Sequence, residues 1–210
     1  MADGCCTTDY DLIFDETSAR KELTDYLDHG LDDDTSRLLD ALVGQDVQGS
    51  SVLEIGGGVG DVQLELLAAG VASVTDVDAS QPYIAVAREE VERRGLADRV
   101  RYVHGDFVAV ASGVPPADVV VLNRVVCCYP DMTALVREST ARAQRVYALV
   151  LPVDRWLTKL IVGLDNLRHR IGRSSFRAYV HPTAEVERLI RAAGFEPRFE
   201  HSGWMWRIRV

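Results

Sequence analysis

The chain of 210 residues has no apolar run that approaches the length needed to span a bilayer. It also lacks an excess of positive charge, and its formal net charge of −9 works against the positive surface that phosphate binding needs. These two absences predict a protein with no membrane partner and no nucleic-acid partner. The N-terminus has no basic region followed by an apolar stretch, so we expect no secretory signal and a cytoplasmic location.

Cysteine is scarce, and the four cysteines form two adjacent pairs, Cys5-Cys6 and Cys127-Cys128. In the cytoplasm such thiols are mostly reduced. Adjacent cysteines lack the C-x-x-C spacing that lets two sulfurs hold one zinc ion easily, so the sequence predicts no metal site. The pair at 127–128 remains open to two interpretations, small buried side chains or thiols close to a substrate.

The composition is that of a globular protein, with 47% hydrophobic and 26% charged residues. Strand-like and helix-like segments alternate, which predicts an α/β fold with a mostly parallel sheet. We expect strands near 51–56, 71–78, 99–104, 117–123 and 145–151, and helices near 60–69, 81–94, 131–143, 154–170 and 183–193. Residues 196–200 and 204–210, joined by a short turn at 201–203, predict a closing hairpin.

The first fifty residues precede this alternation. An apolar cluster at 10–14 is followed by two predicted helices near 16–28 and 34–43. We therefore divide the chain into a helical extension at 1–45 and a main domain at 46–210.

The most informative stretch runs from Val52 to Gly60, where an apolar strand carries Glu54 and glycines follow at positions 56, 58 and 60. A glycine-rich turn between a strand and a helix lets the backbone approach a ligand, because no side chain stands in the way. A dinucleotide fingerprint would need a third small residue at Asp61. The pattern E-x-G-x-G-x-G resembles instead the first motif of the class I S-adenosylmethionine (SAM) dependent methyltransferases.

Three further features follow in the order that this resemblance requires. Asp78 ends the second strand, where it can accept hydrogen bonds from both ribose hydroxyls or cap the next helix beside Ser80. Asp106-Phe107 follows the third strand, where the family places an acid on the adenine amino group and an apolar residue on the ring. Asn123 ends an apolar strand typical of the sheet centre. The resemblance implies that SAM contacts Glu54, Gly56, Gly58, Gly60, Asp78, Ala79, Asp106, Phe107 and Asn123.

The resemblance covers residues 50–210 and also implies the architecture. It implies a Rossmann-like, seven-stranded, mostly parallel sheet with an antiparallel last strand and helices on both faces. In small-molecule methyltransferases an N-terminal helical segment often forms a lid over SAM, and a helix packed on the sheet edge is the alternative here.

The segment after Asn123 is the predicted substrate side, because ligands bind at the carboxyl ends of strands where the strand order reverses. Residues 124–126 replace the prolines of the N-P-P-Y pattern found in enzymes that methylate nucleic-acid bases, so we expect a small-molecule acceptor. Tyr129-Pro130 resembles the magnesium-protoporphyrin O-methyltransferases, which tend to carry His where this chain has Cys128. The fuller pattern more closely resembles uncharacterised bacterial methyltransferases.

The predicted substrate contacts are Tyr10, Phe14, Arg124, Cys128 and Arg177. Arg177 belongs to a basic cluster that suits an anionic group or simply ends a helix in solvent. Tyr129 and His181 are the candidate general bases, and His181 is equally consistent with a structural hydrogen bond. The three tryptophans, Trp156, Trp204 and Trp206, are predicted to pack against apolar neighbours.

The resemblance implies direct displacement of the methyl group from SAM, with S-adenosyl-L-homocysteine as product. A base is needed only when the acceptor is a hydroxyl, a carboxylic acid or a protonated amine. Two other functions stay open, a non-catalytic SAM-binding protein and a thiolate-dependent metalloid methyltransferase that uses the cysteine pairs. The sequence also leaves open a homodimer.

Overall fold

A seven-stranded sheet lies at the centre of the computed structural model, which describes residues 11, 13–172, 174 and 176–210. The strands are β1 Ser51–Ile55, β2 Ser73–Asp78, β3 Val100–His104, β4 Ala117–Asn123, β5 Ala143–Pro152, β6 Glu200–Ser202 and β7 Trp206–Arg209. Their order is β3-β2-β1-β4-β5-β7-β6, and β7 runs antiparallel to both of its neighbours. The order reverses between β1 and β4, so a ligand site is expected at their carboxyl ends.

Helices cover the sheet on both faces. They are α1 Glu16–His29, α2 Asp33–Val43, α3 Asp61–Ala68, α4 Gln81–Arg93, α5 Phe107–Val110, α6 Met132–Thr140, α7 Trp156–Ile171 and α8 Thr183–Ala192. Strand β4 shows how the core is built, because Val120 and Leu122 pack on one face while Val119 and Val121 pack on the other. Apolar residues at consecutive positions are therefore buried on both sides of the sheet.

The predicted Rossmann-like fold is confirmed, and local chemistry explains where its helices begin and end. Ser80 caps α4 by accepting a hydrogen bond from the backbone N–H of Tyr83. Gly70, Gly95 and Gly194 follow helices with φ of +96°, +69° and +93°, a conformation that favours glycine.

Two local predictions were wrong. The hairpin turn lies at 203–205 rather than 201–203, because His201 and Ser202 pair with Ile208 and Arg207 in the sheet. Trp156 and Trp204 do not pack, since their side chains are 76% and 72% exposed on the outer face of α7 and at the hairpin turn.

The α1 and α2 helices lie where the sequence predicted two helices. Among the residues described, no helix has the length and apolar character needed to cross a membrane. The division into an extension at 1–45 and a main domain at 46–210 stays a prediction.

Candidate functional site

The glycine turn after β1 is shaped by two different requirements. Gly56 and Gly58 have φ of +67° and +60°, which side-chain-bearing residues rarely adopt. Gly57 is required for space, because a Cβ there would lie 2.7 Å from the Asp76 carboxyl group. At Gly58 the nearest atoms would be 3.8 Å or more from an added Cβ, so this part of the turn faces open space. The open space and the bare backbone suit close approach of a ligand.

Gly60 has a structural role in the same turn. It precedes α3 with φ of +84°, and a Cβ there would lie 2.0 Å from the amide nitrogen of Gln63. Gly60 is not among the residues that line the cavity beside the turn, whereas Gly56 and Gly58 are. The sequence grouped the three glycines as ligand contacts because their spacing alone does not distinguish crowding from exposure.

Asp78 at the end of β2 is tied to the glycine turn. Its Oδ2 accepts a hydrogen bond from the Gly58 N–H at 3.1 Å, and its Oδ1 accepts one from the Ser80 N–H at 2.7 Å. Burial raises its pKa, and these two hydrogen bonds oppose the rise. A carboxylate offers about four lone-pair positions, so each oxygen keeps capacity for a ligand hydroxyl. Ala79 and Ser80 lie beside it on the cavity wall.

A buried pair of acidic residues contacts the glycine turn from the sheet. Glu54 on β1 and Asp76 on β2 are register partners, and their side chains are 1% and 0% exposed. Asp76 Oδ1 accepts a hydrogen bond from the Gly57 N–H at 3.1 Å. Burial is the main cause that raises the pKa of both carboxyl groups, and the negative charge of Asp78 raises them further. The two acids are therefore adjacent and buried beneath the turn.

The sequence reasoning missed two acids. Asp76 lies two residues before Asp78, so both point to the same face of β2, and this spacing was the available signal. Asp61 opens α3 and lines the cavity, and burial raises its pKa to about 6. In the sequence Asp61 was used only as evidence against a dinucleotide fingerprint.

The end of β3 carries the predicted adenine residues. Asp106 caps α5, accepting a hydrogen bond from the Val108 N–H at 2.9 Å. Its two carboxylate oxygens also accept from the Tyr129 hydroxyl at 2.9 and 3.0 Å. Phe107 is 4% exposed, belongs to the core and lines the cavity. The structure therefore brings Asp106, Phe107 and Tyr129 together on one wall.

The N-terminal helices form the opposite wall. Glu22 of α1 accepts a hydrogen bond from the Tyr83 hydroxyl at 2.9 Å, and burial raises its pKa. The Phe14 carbonyl accepts from the Ser80 hydroxyl at 2.8 Å, and the Phe14 ring contacts Tyr83 edge to face. Phe14 and Glu22 line the cavity, while Tyr10 lies outside the described residues. Movement of this wall as a lid stays a prediction.

The segment after β4 supplies the third wall. Asn123 donates to Thr35 at 3.3 Å, and its buried Oδ1 has no hydrogen-bond partner among the described residues. Arg124 has φ of +60°, an uncommon backbone conformation for a residue with a side chain and one that is concentrated at functional sites. Its guanidinium group bonds Asp32 at 2.6 Å and lies over the Trp206 ring at 4.9 Å. These contacts connect β4 to α2 and β7.

The adjacent cysteines lie at the same wall. Their sulfur atoms are 3.7 Å apart, and Cys127 also donates to the Arg124 carbonyl. Cys127 is 8% exposed, whereas Cys128 is half-buried and lines the cavity. The two interpretations of the pair therefore divide between its members: Cys127 packs in the core and Cys128 faces the site. Cys5 and Cys6 lie outside the described residues.

Two predicted site residues have other contacts. His181 bonds the Tyr129 carbonyl through Nε2 at 2.9 Å and stacks on Tyr179. Arg177 donates to the carbonyls of Ser174 and Phe176 in its own loop. Neither is among the described residues that line the cavity. The guanidinium group of Arg177 bonds its own loop, and its role as a substrate contact stays a prediction.

The three walls enclose a cavity of about 860 Å³, a size typical of cofactor and small-molecule sites. Its charge is strongly negative. The acidic side chains that line it are Glu22, Asp25, Asp32, Glu54, Asp61, Asp78 and Asp106, and Arg124 is the arginine among the lining residues. Such a cavity suits a ligand that carries positive charge.

Comparisons with known proteins agree with this geometry. Residues 52–145 match a family model described as a methyltransferase domain. The chain is 28% identical over 147 residues to the release factor glutamine methyltransferase of Chlorobaculum tepidum, covering 67% of this chain and 49% of the relative. It is 27% identical over 166 residues to the ribosomal protein L11 methyltransferase of an Enterobacter species, covering 76% and 50%. The chain thus spans about half the length of these curated relatives.

Solved structures show the same fold. Magnesium protoporphyrin IX methyltransferase from Synechocystis PCC 6803, solved with S-adenosylhomocysteine bound, superposes with a TM-score of 0.66 at 22% identity. The match covers 83% of this chain and 79% of that one. At this identity the likeness is one of fold, and it confirms the architecture that the motifs implied. Residues 52–145 are thus similar to a methyltransferase domain, and the fold built around them is the one seen in this solved methyltransferase.

Proposed function

We propose that this chain binds SAM in the cavity and transfers its methyl group to a small-molecule acceptor, leaving S-adenosyl-L-homocysteine. The observation that carries the proposal is the 3.1 Å hydrogen bond from the Gly58 N–H to Asp78. It brings together the glycine turn and the acid at the end of β2, the two features that hold the phosphates and the ribose in nucleotide-binding α/β folds.

The described residues fit SAM in shape and in charge. The turn is open beside Gly58, and the cavity has about 860 Å³ of space. Acidic side chains outnumber arginine on its walls by seven to one. SAM carries a sulfonium and an ammonium group, so this field favours its binding. When bound, SAM supplies a methyl group that the sulfonium has already activated.

Each wall then has a role in holding the cofactor. Asp78 accepts hydrogen bonds from the ribose hydroxyls through lone pairs that Gly58 and Ser80 leave available. Asp106 accepts from the adenine amino group, and the Phe107 ring packs on the base. Glu54 and Asp61, beside the glycine turn, provide negative charge for the ammonium group of the methionine part.

The acceptor enters on the side formed by Asn123, Arg124 and Cys128. The Asn123 Oδ1 atom has no hydrogen-bond partner among the described residues, which makes it a ready acceptor for a hydroxyl or amine. The walls hold this group in line with the methyl carbon and exclude water. Such alignment can provide an effective concentration of about 10⁵–10⁸ M, so positioning supplies much of the rate.

Calorimetry with SAM and S-adenosylhomocysteine tests the cofactor. Asp78→Ala should weaken binding by about 2–4 kcal/mol, because it removes two charge-assisted hydrogen bonds. Asp118→Ala is the matched control, since Asp118 also accepts from a backbone N–H, that of Ser51 at 2.8 Å, but is not among the cavity-lining residues. Unchanged affinity in folded Asp78→Ala, or binding of NAD instead, contradicts the proposal. SAM binding without turnover of any acceptor tested would indicate a non-catalytic binding protein.

One observation favours a second candidate, a thiolate-dependent metalloid methyltransferase. The sulfur atoms of Cys127 and Cys128 are 3.7 Å apart, and Cys128 lines the cavity. Two thiols at this separation can bind one trivalent arsenic atom. Stoichiometric arsenite binding that is lost in the Cys127→Ser/Cys128→Ser double variant supports this candidate, and equal weak binding by both proteins excludes it.

A further inference from the structure

The outer face of α7 carries an exposed apolar stripe. Its members alternate at spacings of three and four residues, so they lie on one side of the helix. They are Leu157, Leu160, Leu164, Leu167 and Ile171, with exposed fractions of 46%, 50%, 59%, 53% and 76%. We call this set the α7 stripe. Trp156 adjoins it and is 76% exposed. Contiguous apolar surface of this kind marks an interaction site.

The opposite face of α7 is fixed to the fold. Thr158 is 2% exposed. The Asn166 side chain donates to the Ala178 carbonyl and accepts from the Ala178 N–H, each at 2.8 Å. His169 contacts the Phe176 ring edge to face. The polar inner face of the helix therefore contacts the rest of the protein, and for this reason the α7 stripe faces the solvent.

The charge on α7 indicates what the stripe contacts. From Asp154 to Ile171 there are four cationic residues and two acidic residues, which gives a net charge of +2, whereas the whole chain has −9. The cations are Arg155, Lys159, Arg168 and Arg170. Lys159 pairs with Asp154, while Arg168 and Arg170 have no ion pair among the described residues. The helix is therefore basic and apolar, although the protein as a whole is acidic. A binding partner for it would present an apolar layer bordered by negative charge.

A second copy of the chain is a poorer partner for this face. Parallel pairing of two α7 helices would set Arg168 and Arg170 beside the same residues of the other copy. Antiparallel pairing would set them beside Arg155 and Lys159. Both arrangements place like charges together, which is unfavourable. An anionic surface instead supplies the missing counter-charge.

We propose that α7 docks this chain on a membrane surface that contains anionic phospholipid. The stripe and Trp156 enter the boundary between headgroups and acyl chains, and Arg168 and Arg170 lie at the phosphates. A helix of 16 residues is about 24 Å long and lies in the plane of the surface. The sequence predicted no membrane partner because it lacks a spanning run, and that argument does not bear on a helix that lies on the surface. The proposal is independent of the methyl-transfer reaction.

Vesicle co-sedimentation of the full chain tests the proposal, with vesicles of phosphatidylcholine alone or mixed with phosphatidylglycerol. We expect binding to the mixed vesicles that weakens as salt rises. The Arg168→Gln/Arg170→Gln variant should bind about 30-fold more weakly, at ~1 kcal/mol for each cation near the surface. Leu164→Ser should bind at least ~10-fold more weakly, because it removes apolar area from the buried face. Val43→Ser is the matched control, since Val43 is an apolar residue of α2 that is 44% exposed, and it should bind as the unmodified chain does.

Calorimetric SAM affinity and circular dichroism show whether each variant remains folded. Absence of binding to mixed vesicles overturns the proposal, as does equal binding to both kinds of vesicle that the arginine changes do not affect. Sedimentation velocity shows whether the α7 stripe binds a second copy of the chain instead of lipid. A dimer that dissociates in the Leu164→Ser variant would assign the stripe to a second copy of the chain and exclude the lipid surface.

Discussion

The hydroxyl group of Tyr129 donates a hydrogen bond to the carboxylate of Asp106, with distances of 2.9 and 3.0 Å to its two oxygens. The contact joins the segment after β4 to the segment after β3, on opposite sides of β1 and β2 in the sheet. The Tyr129 carbonyl is held as well, by His181 Nε2 at 2.9 Å. Tyr129 is therefore fixed at its side chain and its backbone, and its hydroxyl orients the acid proposed to bind adenine.

This contact leads to a prediction for Tyr129→Phe. Loss of the hydroxyl leaves Asp106 without a charge-assisted hydrogen bond worth about 1.5–3 kcal/mol. We expect SAM affinity to fall roughly tenfold while kcat changes little. Calorimetry and initial rates separate the two effects, with Tyr179→Phe as a control outside the cavity lining. A fall in kcat of about 10²–10⁴ with unchanged affinity would instead support Tyr129 as the general base.

Motifs predicted the part of the site that local sequence builds. The glycine turn, Asp78 and Asp106 each lie at or just after a strand end, so a period-2 pattern and one resemblance were enough to propose them. The contact of Arg124 with Asp32 and Trp206 joins residues far apart in the chain, and its partners depend on how α2 and β7 fold onto β4. No local pattern contains that information.

The tryptophans show a prediction that the local pattern suggested and the structure contradicts. Their apolar neighbours predicted packing, but Trp156 belongs to a helix whose inner face is polar. The spacing of apolar residues on α7 marks one face of the helix, yet spacing does not state whether that face meets the core or the solvent. The orientation was set by Asn166 and its bonds to Ala178, which sequence reasoning did not consider.

A matched pair of glycine substitutions tests the open space at the turn. Gly58 and Gly95 have similar φ, +60° and +69°, so alanine at either should cost about 1–2 kcal/mol of stability. Only Gly58 lines the cavity. We expect Gly58→Ala to weaken SAM at least fivefold, because overpacking costs ~1–3 kcal/mol, and Gly95→Ala to leave affinity unchanged. Thermal melting and calorimetry measure the two quantities, and equal affinities would place the cofactor away from the turn.

The raised pKa of Asp61 predicts a pH-dependent stability. In the unfolded chain this carboxyl group has a pKa near 3.8, and in the folded protein burial raises it to about 6. The folded state therefore favours the protonated form, and the stability it contributes is present below about pH 4 and lost as pH rises through about 6. Asp61→Asn should increase the free energy of unfolding at pH 7.5 by up to about 3 kcal/mol.

Urea unfolding at pH 4, 5, 6 and 7.5 checks the prediction for Asp61, since the difference between the variant and the unmodified chain should grow across this interval. Asp118→Asn provides a control of opposite sign, because hydrogen bonds from Ser51 lower the pKa of Asp118. A constant difference at every pH would show that Asp61 titrates alike in the folded and unfolded states.

The last prediction concerns the wall formed by α1. Most side chains of this helix are exposed, and it is attached through the buried side chains of Ala19 and Tyr26, the Tyr83–Glu22 and Tyr26–Glu65 hydrogen bonds and an exposed ion pair between Arg20 and Glu89. Bound SAM would add apolar and polar contacts to Phe14 and Glu22, which line the cavity. Because a largely exposed helix opens more often than a core strand, ligand contacts should slow its opening.

We therefore expect hydrogen exchange over residues 16–29 to slow when SAM or S-adenosylhomocysteine is added. Exchange in α8 should stay constant, because none of its residues lines the cavity. Glu22→Gln keeps the size of the side chain and a hydrogen-bond acceptor but removes the charge, so it should reduce the ligand-induced protection while the helix stays folded. Equal exchange with and without ligand, together with full SAM affinity after deletion of residues 1–28, would show that α1 only packs on the edge of the fold. Slower exchange in α1 alone would show that the cofactor draws this wall closed, because protection confined to the contacting helix cannot come from a general gain in stability.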